Sequence, residues 1–455
     1  MPPDDRGPMT DTGRLEEHMT KTDLRGAVAG RVLLPGDDGF EQAARPWNLS
    51  VEQRVAAVVE AAHAADVAAV VRYAAEAGLA VSAQPSGHGA SGDADGVVLL
   101  RTRRLGGVEV RGEERVARVG AGVTWGETLA AAGPLGLTGL AGSNPVVSVT
   151  GYTLGGGLSW FGRRYGFAAD SVRAFEVVRA DGEPATVTAG SDPDLFWALR
   201  GGGGDFALVT AVEFDLHPAP ALYGGRVVWP GDRAREVFEA FREITFDAPD
   251  ELSVWFNRVR LPQAPPLVTL DVTYLGEEGD GRALLARLDK IGDALSDSRR
   301  PVAVADLGAV TAEPTDPAPA RSRAELLTGL DDEVAGILLD TPAEPVVGVQ
   351  LRHLGGALAA ARPDGGPSGP VTEPYLLSTF GLALNPELST AVGARQRRYA
   401  EELGERVGGR KPYTMLGAGE RAAAAFTGPD LARLRAIKRA HDPHGVIRAN
   451  FPVLG

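Results

Sequence analysis

The stretch LAVSAQPSGHGASGDADGVVLL, residues 79–100, holds two short apolar runs around a loop of small and polar residues. LAVSAQ (79–84) reads as a strand, SGHGASG (86–92) as a loop and VVLL (97–100) as a second strand. Upstream, VAAVVEAA (55–62) has the length of a buried strand. Val67, Val70, Val71 and Ala74 then recur at i, i+3, i+4 and i+7, which is one face of a helix. Asp66 stands at the start of that helix and Gly78 just past its end, the residues expected at its two limits. A small layered unit follows, and its glycine-rich connection carries a histidine, His88.

Gly87, Gly89 and Gly92 formally satisfy G-x-G-x-x-G, but the dinucleotide motif of that form requires a helix after the loop. Here GDADGVVLL reads as turn and strand, so a nicotinamide-type unit is the weaker reading. Glycines still let successive N–H groups turn toward an anion; a plain turn with nothing bound is the alternative. His88 between two glycines has few packing neighbours, which sets a ligand or catalytic role against a core role. Gly155, Gly156 and Gly157 follow the apolar VVSVTGYTL, and Gly201 to Gly204 precede a strand. Three such clusters within about 120 residues exceed what turns require and suggest an extended ligand between two layers.

The intervening and following segments give more strands than helices. Residues 108–119 form a hairpin around RGEE, and Trp125–Ala132 a short helix. VRAFEVVRA (172–180) and PATVTA (184–189) pair across Asp181-Gly182, a tight-turn dipeptide. DPDLFWALRGGGG (192–204) is a helix ended by glycines, and FALVTAVEFDL (206–216) alternates as a half-buried strand does. Composition changes at HPAPALY (217–223). Beyond it lie strand candidates at 225–229, 252–261, 267–274, 345–354 and 375–383, with helices near 231–243, 281–296, 386–405 and 430–443. Long separations between strands imply an antiparallel sheet covered by helices, so the fold class is α+β.

A chain of 455 residues exceeds one ordinary hydrophobic core, and 44% hydrophobic with 23% charged residues marks a globular protein. A net charge of −14 argues against a nucleic-acid partner. Zero cysteines exclude disulfides, thiolate metal sites and a cysteine nucleophile. No run approaches a membrane span and no secretory signal is visible, which gives the expectation of a soluble cytoplasmic protein without a membrane partner. Residues 1 to about 25, with Met9 and Met19 as alternative starts, carry no chemistry. No metal site is expected: His441 and His444 flank Asp442-Pro443 without convincing ligand spacing, and no GxSxG, HExxH or Walker loop is present.

Taken in order, these segments resemble a known family. RPWNLSVEQRVAAVVEAAHAADVAAVVRYAAEAGLAV (45–81) is similar to the entry segment of the flavin-linked oxidases of the vanillyl alcohol oxidase and para-cresol methylhydroxylase fold. Within that superfamily the match is to the berberine-bridge-enzyme-like branch. QPSGHGASG (84–92) resembles its pyrophosphate loop. AGSNPVVSVTGYTLGGGLSWFGRRYGFAADSV (141–172), DPDLFWALRGGGGDFALVTAVEFDL (192–216) and the closing HDPHGVIRANFPV (441–453) follow in the family's order; LRHLGGALA (351–359) is a weaker match.

The resemblance implies an N-terminal extension at 1–44, partly flexible, then an FAD-binding domain at 45–220, a substrate domain at 221–410 and a C-terminal segment at 411–455 returning to the first lobe. His88 occupies the position that bonds the flavin 8α-methyl carbon. Ser86, Gly87, Gly89, Ala90, Ser91 and Gly92 would complete the pyrophosphate loop. Asn144 stands where some members carry a second, cysteinyl attachment, so a single link is implied. Gly151, Tyr152, Gly155, Gly156, Gly157 and Val209 match positions along the cofactor, and Asn450 one beside the ring. The family's Tyr-x-Asn-Tyr/Phe motif reads Tyr413, Thr414, Met415, Leu416 here, which leaves Tyr413 as a candidate base or substrate contact. His353 and Tyr375, on strands expected to face the flavin, are the other catalytic candidates.

The implied activity is hydride transfer from an alcohol-bearing small molecule, a sugar or secondary metabolite, to flavin N5, with reoxidation by molecular oxygen to hydrogen peroxide. Dehydrogenase activity stays open, as does a redox-silent flavin-binding cyclase or binding protein, since the 413–416 motif is eroded. High Ala, Arg and Gly suggest a bacterial source, and the protein is expected as a monomer or homodimer.

Overall fold

The periodic face of Val67, Val70, Val71 and Ala74 lies on a helix from Ala64 to Ala77, and all four side chains are buried. Each buried valine contributes about 1.5–3 kcal/mol relative to exposure. Asp66 starts the helix by accepting the N–H groups of Ala29, Gly30, Ala62 and His63. Burial would raise this carboxyl, but the four donors hold it below the usual carboxylate range. Gly78 ends the helix at φ +67°, a conformation that favours glycine. The structure is a computed structural model that describes residues 24–455; most of the N-terminal extension, with Met9 and Met19, lies outside the described residues.

Strands β1 (Arg31–Leu33), β2 (Ala57–Glu60), β3 (Val81–Ala83) and β4 (Val98–Arg101) form a first sheet in the order β1-β2-β4-β3. Its last three strands are parallel, and β1, read as part of the extension, pairs antiparallel with β2. A second, antiparallel sheet holds β5 (Val108–Arg111) and β6 (Val116–Gly120). Past the short β7 (Leu137–Thr138) it is completed by β8 (Val172–Val178), β9 (Pro184–Val187) and β10 (Leu208–Asp215), in the order β5-β6-β10-β8-β9. β7 pairs instead with β11 (His217–Pro218).

The third sheet is larger. It contains β12 (Tyr223–Pro230), β13 (Leu252–Val259), β14 (Leu267–Tyr274), β15 (Ser296–Asp297), β16 (Arg300–Pro301), β17 (Ala320–Leu327), β18 (Gly348–His353) and β19 (Tyr375–Leu382). The order is β15-β12-β14-β13-β18-β19-β17, with β16 also on β12, and every pairing is antiparallel. Helices Ala234–Phe246, Asp332–Leu339 and Pro386–Leu403 cover one face, packing on Val254, Phe256, Leu270, Val349, Leu351 and Leu377. The fold is α+β, with two smaller sheets in one lobe and a helix-covered antiparallel sheet in the other.

Several elements differ from the expectation. β17 and the helix Asp332–Leu339 lie where none was read, and the helix expected over 281–296 is cut short. It runs Glu278–Leu284 and is followed by a turn at Leu288–Lys290 and by β15. Among the described residues no helix is long and apolar enough to cross a membrane.

The bare face of the large sheet meets the first lobe. There Trp255 stacks on Trp160 with ring centroids 3.5 Å apart and planes 10° from parallel. The end of the chain turns back after the helix Gly428–His441, and Ile447 bridges Val81. Buried Lys438 donates to Asp442 at 2.7 Å and to the carbonyls of Asp205 and Ile447 at 2.6 Å each. Asp205 in turn accepts the N–H groups of Ala449 and Val453 at 3.0 Å.

Candidate functional site

A cavity of about 430 Å³ lies between the lobes. Ser86, Gly87, His88 and Gly89 reach it from the loop after β3. Gly151 and Tyr152 reach it from the short helix Val149–Leu154, Gly155 from the end of that helix, and Val209 from β10. Asn450 comes from the returning C-terminal segment and Tyr413 from a turn beside it.

The loop geometry follows from its glycines. Gly87 sits at φ +81°, and a Cβ there would meet Pro46 at 2.8 Å, so the chain crosses Pro46 only without a side chain. This crossing seats the His88 ring against Trp47, with centroids 4.3 Å apart and planes 17° from parallel. Ser86 Oγ is 2.7 Å from His88 Nδ1, while Nε2 is buried without a partner. Burial lowers the imidazole pKa to about 4, leaving a neutral ring at neutral pH.

Other unsatisfied groups surround the same cavity. Gln84 Oε1, Thr150 Oγ1 and the Tyr152 hydroxyl are buried without hydrogen-bond partners. Orphaned buried polar atoms are uncommon in folded proteins, and four around one cavity indicate a polar ligand. Asn450 Oδ1 accepts from Gln84 Nε2 at 2.9 Å, which leaves the Asn450 amide N–H groups for that ligand. A Cβ at Gly155 would touch Thr414 and Tyr413 at 3.3–3.4 Å, and one at Gly203 would collide with the Tyr413 hydroxyl. Tyr413 itself donates to the Phe451 carbonyl at 3.1 Å. Burial raises the pKa of both Tyr152 and Tyr413, aided for Tyr413 by the charge of Asp205.

The facing wall comes from the large sheet: Ser322, Arg323 and Ala324 of β17, Arg352 of β18 and Ser378 of β19, the register placing Ser322, Ala324, Arg352 and Ser378 on its bare face. None of these was singled out in the sequence. The two strand residues that were, His353 and Tyr375, lie on the opposite, helix-covered face, and the expectation that they face the cofactor is corrected. Side chains alternate along a strand, so His353 points with Val349 and Leu351 while Arg352 points into the cavity. His353 Nε2 lies 3.0 Å from Arg163 Nη1, and the Tyr375 hydroxyl lies 2.9 Å from Thr245 Oγ1.

Six further residues stand outside the cavity wall. Ser91 Oγ donates to the Asn450 carbonyl, and neither it nor its neighbours Ala90 and Gly92 line the cavity. Asn144 donates to the Pro314 carbonyl at 3.0 Å. Gly156 and Gly157, at φ +95° and +75°, turn the chain where a Cβ would collide with Ser368, or with Tyr152 and Ala168.

Residues 55–188 match the family model described as FAD binding domain. The chain carries an FAD binding domain. It is 31% identical over 281 residues to (R)-6-hydroxynicotine oxidase of Paenarthrobacter nicotinovorans, a match spanning 60% of this chain and 60% of that protein. The crystal structure of 6-hydroxy-D-nicotine oxidase from Arthrobacter nicotinovorans superposes with a TM-score of 0.79 at 25% identity, covering 94% of this chain and 98% of that one. BBE-like 1 of Physcomitrella patens gives 0.82 at 19% identity, with 96% and 98% covered. Glucooligosaccharide oxidase from Acremonium strictum gives 0.80 at 23%, with 95% and 99% covered. The solved structures at 19% and 23% identity show that this fold is shared.

The cavity fits that cofactor. An unpartnered imidazole nitrogen, small residues at Gly151 and Gly155, and donors without acceptors at Thr150, Tyr152 and Asn450 suit a flat ring bearing carbonyls.

Proposed function

We propose that the chain is an FAD-dependent oxidase of an alcohol-bearing small molecule, a sugar or secondary metabolite, with the cofactor attached once through His88. Residues 45–220 and 411–455 hold the cofactor, and 221–410 supply the substrate wall. The observation that carries this reading is His88: a neutral, oriented imidazole with one buried nitrogen unpartnered, at the edge of the cavity. The glucooligosaccharide oxidase of Acremonium strictum carries a 6-S-cysteinyl, 8α-N1-histidyl FAD. This chain has no cysteine, so only the histidyl bond is available to it.

FAD bound here would supply hydride acceptance and electron delivery to molecular oxygen, giving hydrogen peroxide. The protein's part is to hold and orient. Ser86 fixes the imidazole, Trp47 backs it, and Asn450 offers amide N–H groups to a ring carbonyl. No Asp or Glu lines the cavity among the described residues. Tyr152 and Tyr413 keep their protons at the phenol oxygen and act as donors, Tyr413 toward Phe451 and Tyr152 toward whatever fills the cavity.

Acid precipitation of the purified protein tests the reading. Yellow colour in the pellet is the expected result, and His88→Ala should move it to the supernatant; colour retained by that variant overturns the assignment. The missing carboxylate and the Thr414-Met415-Leu416 sequence favour one second reading, a redox-silent flavin protein on the same fold. Anaerobic substrate addition separates the two, since a silent protein leaves its flavin oxidised.

A further inference from the structure

The substrate wall holds a cation with no carboxylate beside it. Arg323 and Arg352 are the two arginines of the cavity, and no Lys, Asp or Glu joins them among the described residues. Arg323 is neutralised: its Nε donates to Glu325 at 2.6 Å, and Glu420 lies 3.8 Å away. Arg352 donates its Nε to Gln350 Oε1 at 2.6 Å, a neutral partner, and its nearest opposing charges, Glu313 and Asp271, act only at a distance. Burial lowers its pKa, but a guanidinium keeps its proton in proteins.

A directed chain of hydrogen bonds sets the orientation of this group. Both oxygens of Asp271 accept the fork of Arg226, at 2.5 and 2.9 Å, and Asn257 Nδ2 adds a bond at 2.9 Å. Burial raises the Asp271 carboxyl above the usual carboxylate range, with the Arg226 and Asn257 donors opposing the rise. With both Asp271 oxygens accepting from Arg226, Asn257 turns its NH₂ toward Asp271 and its Oδ1 toward Gln350. Gln350 Nε2 donates to that oxygen at 2.7 Å, which leaves Gln350 Oε1 for Arg352. From the other side the guanidinium lies over the Trp255 ring, 3.9 Å from its centroid, and Trp255 rests on Trp160. With the plane fixed by stacking and the Nε edge fixed by Gln350, the two Nη nitrogens have no protein acceptor among the described residues.

We propose that Arg352 recognises an anionic oxygen group on the substrate, a carboxylate or an ionised phenol or enol, and that Asp271, Asn257 and Gln350 are its positioning residues. This rests on reading the cavity as the substrate site of an FAD enzyme. A planar fork matches two oxygens in one plane, which a lysine would not. The unpartnered Tyr152 hydroxyl adds a second donor in the same cavity, and the absence of a lining carboxylate removes the repulsion that would exclude an anion.

The test is calorimetric titration of the purified holoprotein with aromatic carboxylates, each paired with its amide, and with phenols on either side of their pKa. The anion of each pair should bind about tenfold to a hundredfold more tightly, the range expected for a hydrogen bond to a charged group. Arg352→Gln should erase that preference while the flavin absorbance stays unchanged. Gln350→Glu, which neutralises the guanidinium without removing it, should erase it too, and Arg352→Lys should keep part of it. A preference confined to ionised phenols assigns phenolate over carboxylate.

Anions bound no better than their neutral partners, or a preference that survives Arg352→Gln, overturns the proposal. So does a changed flavin spectrum in Arg352→Gln with discrimination intact, which would make Arg352 a cofactor contact. Protein purified without any flavin would defeat the FAD reading by itself, and the same titrations would still report on Arg352.

Discussion

His88 lies flat against Trp47, ring centroids 4.3 Å apart, on a segment that also binds the loop through the Trp47 N–H to the Ser86 carbonyl at 3.0 Å. The indole backs the imidazole from outside the cavity, and its Nε1 is tied to the Thr315 carbonyl at 3.2 Å. Such a stacked pair is worth about 0.5–1.5 kcal/mol beyond its buried area. Trp47→Ala should therefore leave the protein folded but let the ring rotate. The fraction of flavin that coprecipitates with acid should fall, while Trp47→Phe should retain most of it. Equal covalent fractions in all three proteins would mean that the indole has no orienting role.

A second prediction concerns acid. His88, His217 and His353 have pKa values lowered to about 4, 4 and 3, first by burial and for His353 also by Arg163. Arginine can only donate, so His353 Nε2 accepts and the ring is neutral. The unfolded chain, with an ordinary histidine pKa near 6.5, binds more protons than the native state between about pH 4 and 6.5. Stability is complete above about pH 6.5 and falls as the pH drops toward 4, by up to about 1.4 kcal/mol per unit for each group. Thermal midpoints measured at pH 7 and pH 5 should show this decline, and His353→Asn should flatten it. A midpoint independent of pH over that range would contradict the buried neutral state.

The third prediction tests the anchor of the C-terminal segment. Lys438 is 3% exposed and bonds Asp442 together with two carbonyls, so Lys438→Met leaves a buried carboxylate without its cation. Breaking a buried pair from one side costs about 3–5 kcal/mol. Denaturant unfolding should record that loss. Flavin fluorescence should appear at lower denaturant in a His88→Ala background, because Ala449 and Asn450 belong to the same segment.

Gly203 offers a sharper probe of the cavity. At φ +91°, and with the Tyr413 ring in the path of any added Cβ, Gly203→Ala combines backbone strain with a collision. A cost of about 1–3 kcal/mol is expected for the strain alone. The Tyr413 hydroxyl should lose the Phe451 carbonyl and the flavin absorption band should shift, whereas Gly190→Ala, with a Cβ contact only at 3.9 Å, should alter neither.

Much of the first lobe was legible because its strands and helices carry undiluted patterns. Val67, Val70, Val71 and Ala74 announce a helix, and Asp181-Gly182 announces a turn that the structure closes with Gly182 at φ +81°. β17 was not legible. Its first half, Ala-Arg-Ser-Arg, is polar on both faces, Ser322 lining the cavity and Arg323 paired with Glu325 and near Glu420, so no apolar alternation reveals the strand.

The choice of His353 over Arg352 has a different origin. Imidazole is the more familiar catalytic group, yet Val349 and Leu351 already mark the buried register, and His353 shares their parity. Counting by twos along the strand places Gln350 and Arg352 together on the other side. No local signal marked Trp47, because its partner lies 41 residues further along the chain.

Gln84 and Asn450 meet across 366 residues of sequence. A ribosome making this protein finishes the histidine loop early and supplies the other side of the cleft only after residue 450 has been added and has left the exit tunnel. Until then Val81 lacks Ile447 as a neighbour, and the Asn450 amide is absent from the cavity wall. Closure of the cleft is thus a late event in folding, set by a contact between distant segments rather than by folding of the first two hundred residues.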